Sequence, residues 1–398
     1  MALPTDIFAS HDRRSADCIY LDYAATTPLD RRVLDLMYSI MAKDITGNAQ
    51  STHHPFGAAA DLIVRKAREQ VATMIGASPS EIVFTSGATE SNNLAIKGLV
   101  SHLKAVGKTR IVTTEVEHHS VLKPLAQLEA LGFEIVRLLP RPCGMITADM
   151  IERAIDARTG LVCVQAVNNE LGTIQPLAKI AEVLKERNIL FHCDAAQALG
   201  KIPFLVDSVA VDFASFSAHK IYGPQGIGCL YVRTEKSTLL EPLLAGGGHE
   251  HGLRSGSLPV ALCAGFGAAC SLVDDDDRAR LQSMRVSFMA RIRRLNPVVY
   301  GHCEPHGNVP GILTIRFPGI DSETLVMALP GLAIGIGAAC TRNGAKLSHV
   351  IQAVAGAQPS RETVRISFGR LTTVEEMGNA AEQIVAAVAG IRELQEVS

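Results

Sequence analysis

The sequence predicts an α/β fold: a large domain on a mostly parallel seven-stranded sheet, followed by a smaller α+β domain. Three observations carry this. Short β-branched runs alternate with helical patterns from about residue 82 to residue 232. Many of those runs are apolar on both faces, as suits a sheet covered by helices on each side. Beyond the acidic run Asp274 to Asp277 the alternation stops, and an amphipathic helix, two strands and a final helix follow.

The predicted strands of the large domain are 82–85, 110–114, 134–139, 161–167, 190–193, 212–216 and 228–232. Between them the periodicity predicts helices at 88–105, 119–131, 148–155 and 177–186. The second domain contributes a helix at 279–295, strands at 312–317 and 363–368, and a helix at 374–393. The boundary is expected between 20–272 and 273–398, with residues 1–19 as a joining segment. The acidic run itself reads as a solvated helix boundary.

With 398 residues, of which 47% are hydrophobic and 20% charged, the chain has ample apolar surface for a sizeable core. Lys plus Arg number 38 and Asp plus Glu 40, a formal charge of −2, so no nucleic-acid or membrane partner is expected. The longest apolar stretch, residues 259–273, is too short to span a bilayer. Residues 1–6 show no secretory pattern, and a cytoplasmic protein is expected. The nine cysteines, an odd number without a C-x-x-C pair, read as reduced thiols with at least one reactive.

Several strand ends carry chemistry. Ser215-Phe216-Ser217-Ala218-His219-Lys220 leaves an apolar strand and enters a Gly/Pro turn. A desolvated lysine there exposes a nucleophilic free amine suited to condensing with an aldehyde cofactor, although many strand-end lysines are simply solvated. Asp194 ends another strand, where α/β sheets place ligands; it suits either a pyridinium partner or a helix N-cap. His192, on the opposite strand face, reads as a core histidine. The turn Thr85-Ser86-Gly87-Ala88-Thr89 runs from strand to helix, and its backbone N–H groups and the Thr89 hydroxyl suit a phosphate. No nicotinamide or ATP fingerprint is present.

His118 and His119 are adjacent, so one is expected to face the site and the other the surface, and no metal is expected. Asn168-Asn169-Glu170 directs amides into the same crevice. Cys340, within Gly335-Ile336-Gly337-Ala338-Ala339-Cys340-Thr341-Arg342-Asn343-Gly344, is the candidate nucleophile on a mobile glycine-rich loop. Ser348 is the expected N-cap of the helix that follows.

Together these residues resemble the cysteine desulfurases of the NifS/IscS-like group, within the class V aminotransferase, or PLP fold type I, superfamily of pyridoxal 5'-phosphate (PLP) enzymes. The resemblance runs from Tyr20-Leu21-Asp22-Tyr23-Ala24-Ala25-Thr26-Thr27-Pro28 to Arg370-Leu371-Thr372-Thr373. It implies that Lys220 joins the PLP aldehyde, Asp194 pairs with the pyridine nitrogen and Gln197 bonds the ring hydroxyl. His118 would stack on the ring and shuttle protons. Ala88, Thr89, Ser217 and His219 would hold the phosphate, and Ser257, where the family usually has Thr, would reach the phosphate of a neighbouring subunit. Asn169 would contact cofactor and substrate, and Arg365 would grip the substrate carboxylate.

The implied reaction removes sulfur from L-cysteine, leaving L-alanine and a persulfide on Cys340 that a sulfur-acceptor protein receives. A homodimer is implied. Ala218, Ile336 and Ala338 stand where the family often has Gly, Ser and Ser. The chain ends at Ser398, short of the tail with which iron–sulfur members dock their scaffold. Iron–sulfur assembly, tRNA or DNA sulfur modification and cofactor thiolation all stay open as destinations. A selenocysteine lyase or aminotransferase is the nearest alternative enzyme, against which Cys340 argues. A non-catalytic scaffold is the alternative outside enzymes.

Overall fold

The computed structural model describes residues 18–42, 47–274, 277–303, 307–336 and 347–396 in full, and the backbone alone at 340–341, 344–345 and 397. Seven strands form the larger sheet: β2 (Ile82–Thr85), β3 (Arg110–Thr114), β4 (Glu134–Leu138), β5 (Thr159–Cys163), β6 (Leu190–Asp194), β7 (Phe213–Ser217) and β8 (Gly228–Val232). Their spatial order is β2-β8-β7-β6-β5-β3-β4. Only β8 runs against the rest, pairing antiparallel with both β2 and β7.

Strand alternation divides the buried side chains between two cores, one on each face. Phe84, Phe216, Cys229 and Tyr231 enter the core that also holds the helix Val260–Ser271. Val83, Phe213, Leu230 and Val232 enter the opposite core, under the helices Ala88–Gly98 and His119–Glu129. This is why the strand sequences read as continuous apolar runs.

The five-stranded second sheet has the order β1-β11-β14-β10-β9, where β1 is Ile19–Leu21, β9 Val298–Tyr300, β10 Ile312–Arg316, β11 Leu332–Ile336 and β14 Thr363–Ser367. Its core joins Leu21, Ile315, Phe317, Val364 and Ile366 to Phe288 and Ile384, which come from the helices Asp277–Ile292 and Val374–Val397. Strand β1 thus begins the chain's described part in the second sheet, parallel to β11. Residues Asp22 to Thr27 then cross to the larger sheet. Tyr23 N–H bonds Ser367 O at 3.2 Å, and Thr27 N–H bonds His219 O at 2.9 Å.

Two expectations need correction. The helix expected over 88–105 is two helices, Ala88–Gly98 and Val100–Ala105, because the amide of Glu241 takes the carbonyl of Gly98 at 2.9 Å and a neighbouring segment occupies the groove there. The expectation of reduced thiols fails for Cys143 and Cys303. They form a disulfide with Cα atoms 5.5 Å apart, across 160 residues of sequence. The loops after β4 and β9 meet at Thr173, whose hydroxyl donates to Cys143 O at 2.6 Å. Cys18, Cys163, Cys193, Cys229, Cys263 and Cys270 are free.

Buried Glu250 anchors the strand that leads to the expected phosphate turn. Its carboxylate accepts from Arg68 at 2.8 and 2.6 Å and from the Phe84 amide at 2.6 Å. Truncation would leave a guanidinium and a buried amide without their partner. Glu250→Ala is expected to cost about 3–5 kcal/mol, read as a lowered midpoint in urea unfolding.

Candidate active site

The carboxyl-end edge of the larger sheet and the near edge of the second sheet enclose a cavity of about 580 Å³. Ala88, Thr89, His118, Asn169, Asp194, Gln197, Ser217, His219, Lys220 and Arg365 all line it. Ten of the residues read from the sequence therefore converge on one space. Ser257 lies outside it, exposed on the surface. The Cys340 side chain lies outside the described residues; its backbone opens β12 (Cys340–Thr341), paired with β13 (Gly344–Ala345).

Lys220 follows β7 through a single 3-10 turn, Ala218–Lys220. Its ammonium donates to Ala24 O at 2.7 Å and Ala25 O at 2.6 Å. Burial and the neighbouring Arg365 pull its pKa down to about 8, against Asp194 and Asp22. A free amine is therefore accessible near neutral pH. Lys201, absent from the sequence reading, donates to Lys220 O at 3.2 Å, and burial with the Lys220 charge lowers its pKa to about 7. Burial, Lys220 and Lys201 likewise lower His219 to about 4, and its Nδ1 lies 3.0 Å from Thr26 Oγ1.

Asp194 ends β6 and is followed by turns, not by a helix, so it is no helix N-cap. Its Oδ1 accepts the Ala196 amide at 3.0 Å, a local turn bond. Its Oδ2 accepts from Asn92 Nδ2 at 2.8 Å, and the carboxylate lines the cavity. His192, as expected, is fully buried, with Nε2 3.1 Å from Ser215 Oγ. Of the adjacent histidines, His118 opens on the cavity while His119 stacks against His349 at 4.6 Å between ring centroids.

The strand-to-helix turn depends on two glycines. Gly87 has φ +149°, and a Cβ on Gly228 would sit 2.6 Å from Gly87 Cα, so the turn presses directly on β8. Two of its amides are already used: Ser86 N–H bonds Glu90 Oε2 at 2.7 Å, and Gly87 N–H bonds Thr85 Oγ1 at 3.3 Å. The amides of Ala88 and Thr89, with Ser217 and His219 opposite, are left as the cradle for a phosphate.

From the second sheet, β14 brings Arg365. Its guanidinium donates to Asp22 Oδ1 at 2.7 Å and to Asn169 O at 3.1 Å, and its Nε is buried without a partner among the described residues. Gly335 lies opposite Arg365 in β11, and a Cβ there would come within 3.1 Å of Arg365 Nε and 3.2 Å of Asp22 Oδ1. The sequence reading gave Gly335 to loop mobility; the structure gives it clearance for the guanidinium. Ser348 caps its helix as expected, accepting the Ile351 amide at 3.0 Å, and donates to Glu170 at 2.6 Å.

The chain belongs to the class V aminotransferase family, which matches residues 19–379. That family is PLP-dependent. A cysteine desulfurase IscS from Pseudomonas aeruginosa is 43% identical over 94% of both chains. Among solved structures, a NifS-like protein matches with TM-score 0.85 and 34% identity, covering 94% of this chain and 99% of that one. A structure described as SspA in complex with cysteine matches with TM-score 0.79 and 37% identity, over 88% of this chain and 98% of the other. The larger sheet thus has the PLP fold type I architecture.

The cavity fits that cofactor. Gln197 donates from Nε2 to Ala24 O at 2.8 Å, leaving Oε1 as a buried oxygen without a partner among the described residues, an acceptor for a ring hydroxyl. Asp194 can face a ring nitrogen, Lys220 an aldehyde carbon, and the Ala88–Thr89 amides a phosphate.

The sequence reading gave no role to Asn92, Ser120, Gln165 and Glu117, a polar group at the cavity floor, of which Ser120 and Gln165 line the cavity. Glu117 is fully buried; Oε1 accepts from Thr114 Oγ1 and the Gln165 amide, both at 3.0 Å. Burial raises its pKa to about 8. The folded protein therefore holds a proton there that the unfolded chain releases near 4.5, so this contribution to stability is full at low pH and lost as pH rises through about 8. Glu117→Gln should flatten the decline, worth about 1.4 kcal/mol per pH unit inside that window, in urea titrations at stepped pH.

Proposed function

We propose that the protein is a cytoplasmic, homodimeric cysteine desulfurase that takes sulfur from L-cysteine onto Cys340, releases L-alanine and hands the sulfur to an acceptor protein. The observation that carries this reading is the convergence of Lys220, Asp194, Gln197, His118 and Arg365 on one cavity. The desulfurase relatives and the cysteine complex of a similar fold support the substrate.

PLP, when bound, supplies the electron sink that stabilises negative charge on the substrate Cα. The chain's residues do the rest. Lys220 would hold the cofactor aldehyde and, once the substrate amine has taken its place, its freed Nζ would move the Cα proton. Asp194 keeps the ring nitrogen protonated, and Ala88, Thr89, Ser217 and His219 fix the phosphate. Arg365 and Asn169, which line the cavity, would orient the substrate carboxylate. The Cys340 thiolate attacks the substrate sulfur. The carbon–sulfur bond of cysteine breaks as the sulfur–sulfur bond forms.

A homodimer accounts for the apolar side chains exposed on the first two described helices, Tyr38, Met41, Phe56 and Leu62. It also accounts for Ser257 lying outside its own chain's cavity. No helix among the described residues is long and apolar enough to cross a membrane. The large domain is assigned to 20–272 and the small one to 273–398, except that β1 (Ile19–Leu21), two of whose residues fall in the first range, belongs to the second sheet.

Incubation with PLP, L-cysteine and a thiol reductant should yield sulfide and alanine in equal amounts; a keto acid without sulfide overturns the reading. Cys340→Ser should keep the visible cofactor band and lose sulfide release by more than about a hundredfold. In Lys220→Ala the covalent band should be missing, and its persistence would count against the assignment.

Gly335→Ala displaces the Arg365 guanidinium. Steady-state kinetics should show KM for L-cysteine raised about tenfold with cofactor content unchanged.

A further inference from the structure

The ring of His118 is held from below by a chain of hydrogen bonds whose directions can be assigned. His118 is the N-cap of the helix His119–Glu129, and its Nδ1 accepts the Ser120 amide at 3.1 Å. A backbone amide only donates, so Nδ1 carries no proton. The same Nδ1 lies 2.7 Å from Ser120 Oγ. With no hydrogen on Nδ1, the serine hydroxyl must be the donor.

Ser120 Oγ in turn accepts from Asn92 Nδ2 at 2.8 Å, and the second hydrogen of that amide goes to Asp194 Oδ2, also at 2.8 Å. The carboxylate oxygen fixes which way the Asn92 amide faces, because the reversed amide would set oxygen against oxygen. The two bonds from Asn92 are buried, so water does not compete for them, while the His118 end of the chain opens on the cavity.

We propose that Asn92 and Ser120 are positioning residues that hold His118 as the neutral tautomer with its proton on Nε2, so that the ring meets substrate and cofactor as a hydrogen-bond donor and not as a base. A neutral imidazole takes a further proton only at its bare nitrogen. Here that nitrogen already receives two donors, and protonation would leave the Ser120 amide without a partner and force the serine hydroxyl to turn away. The titratable groups facing the ring are Asp194 at the end of β6, Lys220 after β7 and His349 in the helix His349–Ala355. Desolvation, Lys220 and His349 oppose a charged ring, and Asp194 favours one; the net shift is downward. Proton movement at the substrate Cα then falls to Lys220, and His118 steadies developing negative charge from Nε2, as a preorganised donor does.

The inference rests on the desulfurase reading for its chemical meaning but not for its test. Apoprotein labelled with 15N at histidine is followed by two-bond 1H–15N correlation from about pH 4 to about pH 9, the His118 signal being the one lost in His118→Gln. Above the protonation midpoint a bare Nδ1 and a protonated Nε2 are expected. In Ser120→Ala and Asn92→Leu that midpoint should rise by about one unit, a tenfold gain in proton affinity, and Ser120→Thr should restore the original pattern. A proton on Nδ1 in the unaltered protein above its midpoint, or folded variants with an unchanged midpoint, overturns the proposal. Where a variant does not fold, the spectrum of the unaltered protein decides. The spectra need neither PLP nor cysteine, so failure of the desulfurase reading leaves the result interpretable.

Discussion

The stitching of residues Asp22 to Thr27 across the gap between the two sheets is the constraint on which the site depends. Strand β1 commits this segment to the second sheet, and the next few residues lie over the end of β7. The carbonyls of Ala24 and Ala25 then become the only hydrogen-bond partners of the Lys220 ammonium among the described residues. Ala24 also takes Gln197, Thr26 meets His219, and Asp22 meets Arg365. One short stretch of mostly small residues thus touches the amine, the ring-hydroxyl partner, the phosphate side and the substrate side of the cavity.

That arrangement explains how a lysine is held in a reactive state. Carbonyl oxygens satisfy its hydrogens without the full charge of a carboxylate, so desolvation dominates and the amine is released near neutral pH. A carboxylate at the same place would stabilise the ammonium and silence it. The nearby cations Arg365 and Lys201 work in the same direction on their surroundings: Arg365 on Lys220, and Lys201 on His219.

The polar group at the cavity floor has a different task. Asn92, Ser120, Glu117 and Gln165 do not all face a ligand, yet they decide how Asp194 and His118 present themselves. Their burial is tolerated because most of their polar atoms find partners, with Asn92 Oδ1 and Glu117 Oε2 as the exceptions. Groups of this kind leave almost no trace in local sequence. Asn92 is one more polar residue on a helix, and Ser120 one more in a first turn; only packing against β6 and His118 makes them parts of a network.

Local chemistry was enough to place the strand ends. Short β-branched runs, many of them apolar on both faces, located all seven strands of the larger sheet, and the residues at their carboxyl ends were legible because a parallel sheet must deliver them to one edge. Lys220, Asp194 and the Gly87 turn belong to that class. Long-range events were not legible. The pairing of β1 with β11, the break at Leu99 imposed by Glu241, the bond between Cys143 and Cys303, and the clearance that Gly335 leaves for Arg365 each join residues far apart in the chain. Side-chain type and short spacing encode what a segment prefers by itself, whereas these contacts exist only once two sheets have folded against each other.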